Sequence, residues 1–220
     1  MHAFSGRIAW SCLAVLLGVS CAAAEPVTQP IKLFGGKDLT NFYTWLKGAG
    51  KNKDPQQVFT VQDGMIRVSG QTFGGFVTEK EFENYHLVVE FKWGNQTFPP
   101  REKATRDSGI LLHCVGQDGG NSVDKEGRPN GPWMESIECQ MIEGGTGDFI
   151  LVGGKGKPSL TATVEQRGGQ WYYKEVKATK EFTSGRINWW GRDPNWKDVL
   201  GFRGEHDLAR LLLSLIGERH

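Results

Sequence analysis

What this chain of 220 residues lacks already narrows what it can be. Helical periodicity is almost absent before the last dozen residues, which points away from folds built on helices. Charge excess is absent too. Of 26 Lys and Arg, one, Arg7, falls in the first 24 residues, which hold no Asp or Glu, so the remainder carries 25 bases against 25 acids. No basic stripe follows a nucleic acid backbone and no acidic tail appears, so no nucleic-acid partner is expected. No apolar run is long enough, with its flanks, to span a membrane. Cysteine is scarce. Two of the four, Cys12 and Cys21, fall in those first 24 residues, leaving Cys114 and Cys139, whose spacing does not match a zinc site. In an exported protein these two could pair. Both also sit on strand-like segments among apolar neighbours, which suits two buried thiols equally well. Phosphate-loop spacing is missing from the Gly-rich stretch Gly153 to Ser159, where Pro158 interrupts the helix start that would hold a phosphate, so a surface turn is expected there. No histidine has a nucleophile elbow beside it, and no internal repeat is found.

What is present begins with a leader. Arg7 gives a basic start, Ile8 to Val19 is a short, mostly apolar run, and Ala22-Ala23-Ala24 satisfies the small-residue cleavage rule. Residues 1–24 therefore read as a secretory signal peptide cut before Glu25, and the protein is expected to be exported, periplasmic or extracellular. Gly18 fits poorly at the first position of a lipoprotein cleavage site ending at Cys21, so no lipid anchor is expected. Residues 25–207 are long enough for one domain with a sizeable core. Residues 208–220 form an atypical tail, in which Leu211 to Ile216 reads as a helical turn or two whose apolar residues need cover.

Between leader and tail lie short β-rich runs broken by Gly, Asn, Asp and Pro. Val58 to Val61, Gln62-Asp63-Gly64 and Met65 to Val68 predict a hairpin, because Asp-Gly supplies the positive φ of a tight turn. Phe76 to Thr78, Tyr85 to Trp93, Ser108 to Cys114, Leu160 to Val164 and Trp171 to Val176 read as further strands. In the second of these, Tyr85, Leu87, Val89, Phe91 and Trp93 share one face. Evenly spaced strands with turns between them predict an all-β sandwich or jelly roll.

The stretch Trp133 to Glu143 carries the chemistry. Glu138 and Gln140 share one face of a predicted strand, and Ile137, Cys139 and Met141 share the other. Polar side chains on one face of such a strand are either solvated or hold a ligand. Glu138-x-Gln140-x-x-Glu143 offers two carboxylates, the usual equipment for breaking a sugar linkage. Strict alternation turns Glu143 away from Glu138, and a β-bulge before Gly144 would bring it back. The bland reading makes Glu135 and Glu143 solvated rim residues and pairs Glu138 with a base such as Lys92. Arg106-Asp107-Ser108-Gly109 opens the preceding strand, where Gly109 permits close approach, and His113 lies near its other end. Glu90 and Lys92 form a cross-strand pair or contact the ligand. Two long connections, Gly94 to Asp107 and Val115 to Pro132, flank these strands and are expected to rim one site.

Four ordered motifs resemble the 3-keto-disaccharide hydrolase family. Leu33-Phe34-Gly35-Gly36-Lys37-Asp38-Leu39 is similar to the family opening "LFNGKDL", and Val61-x-Asp63-Gly64-Met65-Ile66 to its "v.DG.i" hairpin. Asp107-Ser108-Gly109-Ile110 resembles "NSGI", and Glu138-x-Gln140 resembles "E.Q". The resemblance covers about Ile31 to Asp207. It implies a concanavalin A-like jelly-roll sandwich of two antiparallel sheets, with a site on the concave face that acts on glycosides bearing a ketone at carbon 3. Asp107 stands where the family often has Asn, and His113 where it often has Arg. The last family strands, a "vNG" hairpin and a "G.I.LQ" strand, are not matched, so the domain is expected to be truncated. The expected catalytic groups are Glu138, Glu143 and His113. Gln140, Asp107, Ser108, Glu90, Lys92 and Glu135 are expected to contact a carbohydrate. No cofactor and no metal ligand set is predicted, although this fold would accommodate calcium near Asp148. The alternatives are a non-catalytic carbohydrate-binding module and a truncated, inactive copy.

Overall fold

The computed structural model describes residues 29–153, 158–175 and 178–198, and the backbone of a strand at 209–214. The leader and the polar segment from Phe202 to Asp207 lie outside the described residues, as does most of the Gly-rich stretch after Val152. All regular elements belong to one unit, Leu33–His220.

Among the described residues fourteen strands follow one another: β1 (Phe42–Leu46), β2 (Gly50–Lys51), β3 (Phe59–Gln62), β4 (Met65–Val68), β5 (Gly74–Thr78), β6 (His86–Phe91), β7 (Asp107–Val115), β8 (Glu135–Ile142), β9 (Phe149–Val152), β10 (Leu160–Arg167), β11 (Gln170–Tyr173), β12 (Ala178–Phe182), β13 (Gly185–Ile187) and β14 (Ala209–Ser214). No helix occurs among the described residues, so none there is long and apolar enough to cross a membrane. The chain is an all-β jelly-roll sandwich of antiparallel sheets, as expected. The sheets run β2-β1-β5, β11-β10-β12, β13-β9-β8-β7, β14-β6 and β3-β4.

Local chemistry explains the elements. Asp63 and Gly64 take φ of 51° and 71° and close the β3–β4 hairpin as the Asp-Gly pair requires. The alternating burial of β6 follows its alternating sequence, with Leu87, Val89 and Phe91 covered and His86, Val88 and Glu90 exposed. The main core forms where β8, β9 and β13 face β10, β11 and β12. There Leu151, Val164, Phe182 and Ile187 are buried, with Ile137, Phe149, Leu160 and Trp171 packed around them. A second cluster, Leu46, Val58 and Phe59, joins β1 to β3. Burying each such side chain contributes about 1.5–3 kcal/mol.

One expectation is corrected. The tail does not form a helical turn over Ala209–Ser214. Its backbone pairs antiparallel with β6 from Ala209 opposite Phe91 to Ser214 opposite His86. An unpaired edge on β6 offers this segment a full row of backbone partners, and a Leu-rich run accepts either conformation. The connection from Val115 to Pro132 is tied to β1. Tyr43 donates its hydroxyl to Asp118 at 3.0 Å, and Trp45 Nε1 donates to the Gly131 carbonyl at 3.3 Å. Cys114 and Cys139 are free thiols, exposed and buried respectively.

Candidate active site

Strand register assembles the site. Leu111 of β7, Glu138 of β8, Ile150 of β9 and Arg186 of β13 stand opposite one another in one cross-strand row. Gly109 stands opposite Gln140 in the next row on this face, and the Gln140 backbone N–H donates to the Asp148 backbone carbonyl at 2.9 Å. Side chains change face at every residue, so Ile137, Leu151 and Ile187 enter the core while Glu138, Gln140 and Arg186 stand on the other face. A polar row backed by a packed core is held rigidly, which suits a site.

Gly109 makes room for Glu138. A Cβ at position 109 would fall 2.0 Å from Oε1 of Glu138 and 2.7 Å from its Cδ and Cγ, so the carboxyl lies across the bare backbone of β7. Burial pushes the Glu138 carboxyl up to about 7, the neighbouring charge of Asp107 pushes it the same way, and Arg186 opposes both. No hydrogen bond from a described residue holds the carboxylate in its ionised form.

Asp107 is held firmly by contrast. Its Oδ1 accepts from Gln140 Nε2 at 2.8 Å, and its Oδ2 lies 3.3 Å from Arg101 Nη2. Arg101 also donates to Asp198 at 3.0 Å and to the Thr105 carbonyl at 3.0 Å, which fixes it in the loop before β7. Burial raises the Asp107 carboxyl to about 6, against the opposing charge of Arg101. Gln140 commits its side-chain Nε2 to Asp107, and its Oε1 is buried without a hydrogen-bond partner among the described residues.

The structure does not bring Glu143 to Glu138. Pairing runs without a shift from Leu112 opposite Ile137 to Asp107 opposite Ile142, so no bulge precedes Gly144. The bulge falls instead in β7, between Leu112 and Val115, where His113 has a φ of 50°. Glu143 therefore lies on the opposite face, fully buried, where its carboxylate pairs with the Arg106 guanidinium and accepts the Arg106 backbone N–H at 3.0 Å. His113 is exposed at the bulge and is not among the charges that shift Glu138. Glu135 is buried beside Gly116 and Gly120, not solvated. Ser108 is exposed opposite Met141. Glu90 and Lys92 are exposed, one on β6 and one beyond its end, and β6 pairs with β14 rather than joining the sheet of β7 and β8.

Sequence reasoning missed Arg186 and Arg101. Nothing near Arg186 marks it, since its place depends on the pairing of β13 with β9. Asp148, the expected neighbour of a calcium ion, does not fit one. Its Oδ1 accepts the Trp189 N–H at 2.7 Å, and its Oδ2 meets Arg192, with Arg186 Nε at 3.7 Å. Two guanidinium groups around one carboxylate repel a cation.

A family model, the 3-keto-alpha-glucoside-1,2-lyase-like domain, matches residues 29–188. The chain belongs to this family. The match takes in β1 through β13 and so includes Asp107, Gly109, Glu138, Gln140 and Arg186. Family membership suggests action of the 3-keto-disaccharide hydrolase type on a sugar ligand. No curated protein and no solved structure matches the chain.

Proposed function

We propose that this domain cleaves 3-keto-glycosides by elimination followed by hydration, with Glu138 as the proton-transfer group. A ketone at carbon 3 acidifies the hydrogen on carbon 2. Glu138 takes that proton, the C1=C2 double bond forms, and the bond from C1 to the glycosidic oxygen breaks. The departing oxygen needs a proton, and the newly protonated carboxyl of Glu138 returns it. Water then adds its oxygen to C1 and its hydrogen to C2, releasing the free keto-sugar. A base works best when its pKa lies near the working pH, and a carboxyl at about 7 meets that condition. Asp107, oriented by Gln140 and Arg101, keeps Glu138 poised there and receives a sugar hydroxyl on its remaining lone pairs. The scheme uses side chains alone.

One observation carries this reading. Glu138 lies over Gly109 on the polar face of the sheet, free of hydrogen bonds from described residues and raised to about 7. A charge placed only for stability would be paired, as Glu143 is. Incubating the purified protein with a 3-keto-glucoside and with its unoxidised parent tests the reading. Release of the leaving alcohol from the keto compound alone, lost in Glu138→Gln, is the expected result. Binding of either compound without turnover would make the protein a carbohydrate-binding module instead. We further propose export to the periplasm or beyond after removal of residues 1–24, which N-terminal sequencing of the protein recovered from its producing cells tests directly.

A further inference from the structure

A hollow of about 450 Å³ lies beyond the Arg186 end of the Glu138 row, lined chiefly by Gln170, Trp171, Arg186, Asn188, Arg192 and Trp196. Its wall is basic. Arg186 and Arg192 both line it and no described carboxylate does, although both arginines reach Asp148 and Arg186 also faces the charges of Glu138 and Asp107. Arg192 is nearly buried and is fixed by Asp148, by Asn188 Oδ1 at 2.9 Å and by the Trp196 ring, 4.2 Å from its Cζ. Arg186 differs. Its Nε lies 3.7 Å from Asp148, its side chain is 29% exposed, and it lines the hollow, so its guanidinium can be reached by a ligand there. The Trp196 ring lies 5.9 Å from the Arg186 guanidinium and adds a flat apolar surface beside it.

Distance ties this hollow to the chemistry. Arg186 stands two strands from Glu138 in the same row, with Ile150 between them. Neighbouring strands are about 4.8 Å apart, so the two backbones are separated by roughly 10 Å. That is about one sugar ring plus a short leaving group. The keto-sugar over Gly109 would project its leaving half across Ile150 toward Arg186.

Building on the reading of Glu138 given above, we infer that this hollow is the leaving-group subsite and that it selects glycosides whose leaving half carries an anionic substituent. A carboxylate, sulfate or phosphate shares the needed chemistry, two or more oxygens for the guanidinium fork. An aromatic ring carrying the anion would rest on Ile150 and Trp196.

Binding of unreactive probes tests this without relying on turnover. The unoxidised glucosides of 4-hydroxybenzoate and of 4-hydroxybenzamide differ only in charge and lack the ketone. Titration calorimetry on the whole protein should show the carboxylate probe binding about ten-fold tighter than the amide probe. In Arg186→Gln the preference should fall below about two-fold with an unchanged melting temperature, and Arg186→Lys should retain part of it. A sulfate ester of the same phenyl glucoside should compete with the carboxylate probe. Equal binding of the two probes by the wild-type protein, no binding of the carboxylate probe, or a preference that survives Arg186→Gln overturns the inference. These outcomes are separate from the fate of the catalytic reading, since a protein that binds the anionic probe yet leaves every keto-glycoside intact would refute only the latter.

Discussion

Replacing Gly109 with Ala is a selective perturbation of the proposed site. The new Cβ would overlap the Glu138 carboxyl, at 2.0 Å from Oε1 and 2.7 Å from Cδ. An ordinary carbon–oxygen contact needs about 3.2–3.5 Å, so the carboxyl must move by more than about 1 Å. The backbone has no objection, because Gly109 is not among the positive-φ glycines. The displaced atoms run from Cγ to Oε1 of one flexible side chain and include no backbone, so a rotation at Cβ of Glu138 relieves the overlap and the fold can yield at small cost. Ala also reduces the freedom of the unfolded chain, worth about 0.4–1 kcal/mol in favour of folding. Stability should therefore stay within about 1 kcal/mol of wild type while kcat/KM on a 3-keto-glucoside drops by about a hundred-fold, the usual effect of misplacing a reacting group by 1 Å. Thermal melting and a rate assay on the same preparation give both numbers. Full activity in a folded Gly109→Ala protein would refute the idea that Glu138 works from its place over β7.

Four further predictions follow from the same geometry. Glu143→Gln should cost about 3–5 kcal/mol in urea unfolding, because it strands the Arg106 charge inside the protein. Activity should rise with pH through about 7 as Glu138 loses its proton, which a pH profile of kcat/KM reads directly. In Asp107→Asn the rising limb should move to lower pH, since a neighbouring negative charge no longer holds the Glu138 proton. Folding raises the Glu138 carboxyl from 4.5 to about 7, so the native state keeps a proton that the unfolded chain releases, and stability declines as pH climbs through that window. Glu138→Gln should therefore be more stable than wild type at pH 8 and show little advantage at pH 4, measured by urea unfolding at both.

Much of the fold was legible in the chain because the relevant signals are local. Asp63-Gly64 announced its hairpin, the alternation in β6 announced its faces, and the period of β8 placed Glu138 and Gln140 together. Long-range pairing was not legible. β9 and β13 are only four and three residues long and sit beside Gly-rich turns, yet they bring Arg186 into the Glu138 row. Gly144 suggested an irregular strand end, but the extra residues went into β7 at His113, so Glu143 kept to the alternation and met Arg106 on the far face. The Leu-rich tail is equally compatible with helix and strand, and the β6 edge decided it.

The central claim is that Glu138 removes the hydrogen from carbon 2 of a 3-keto-sugar. Proton NMR of a 3-keto-glucoside incubated with the protein in D₂O tests it most directly. The predicted result is that the recovered free keto-sugar carries deuterium at carbon 2, formed at the rate of leaving-group release, and that both processes vanish in a folded Glu138→Gln protein. Release of the leaving group with the original hydrogen still on carbon 2, or undiminished in Glu138→Gln, would contradict it.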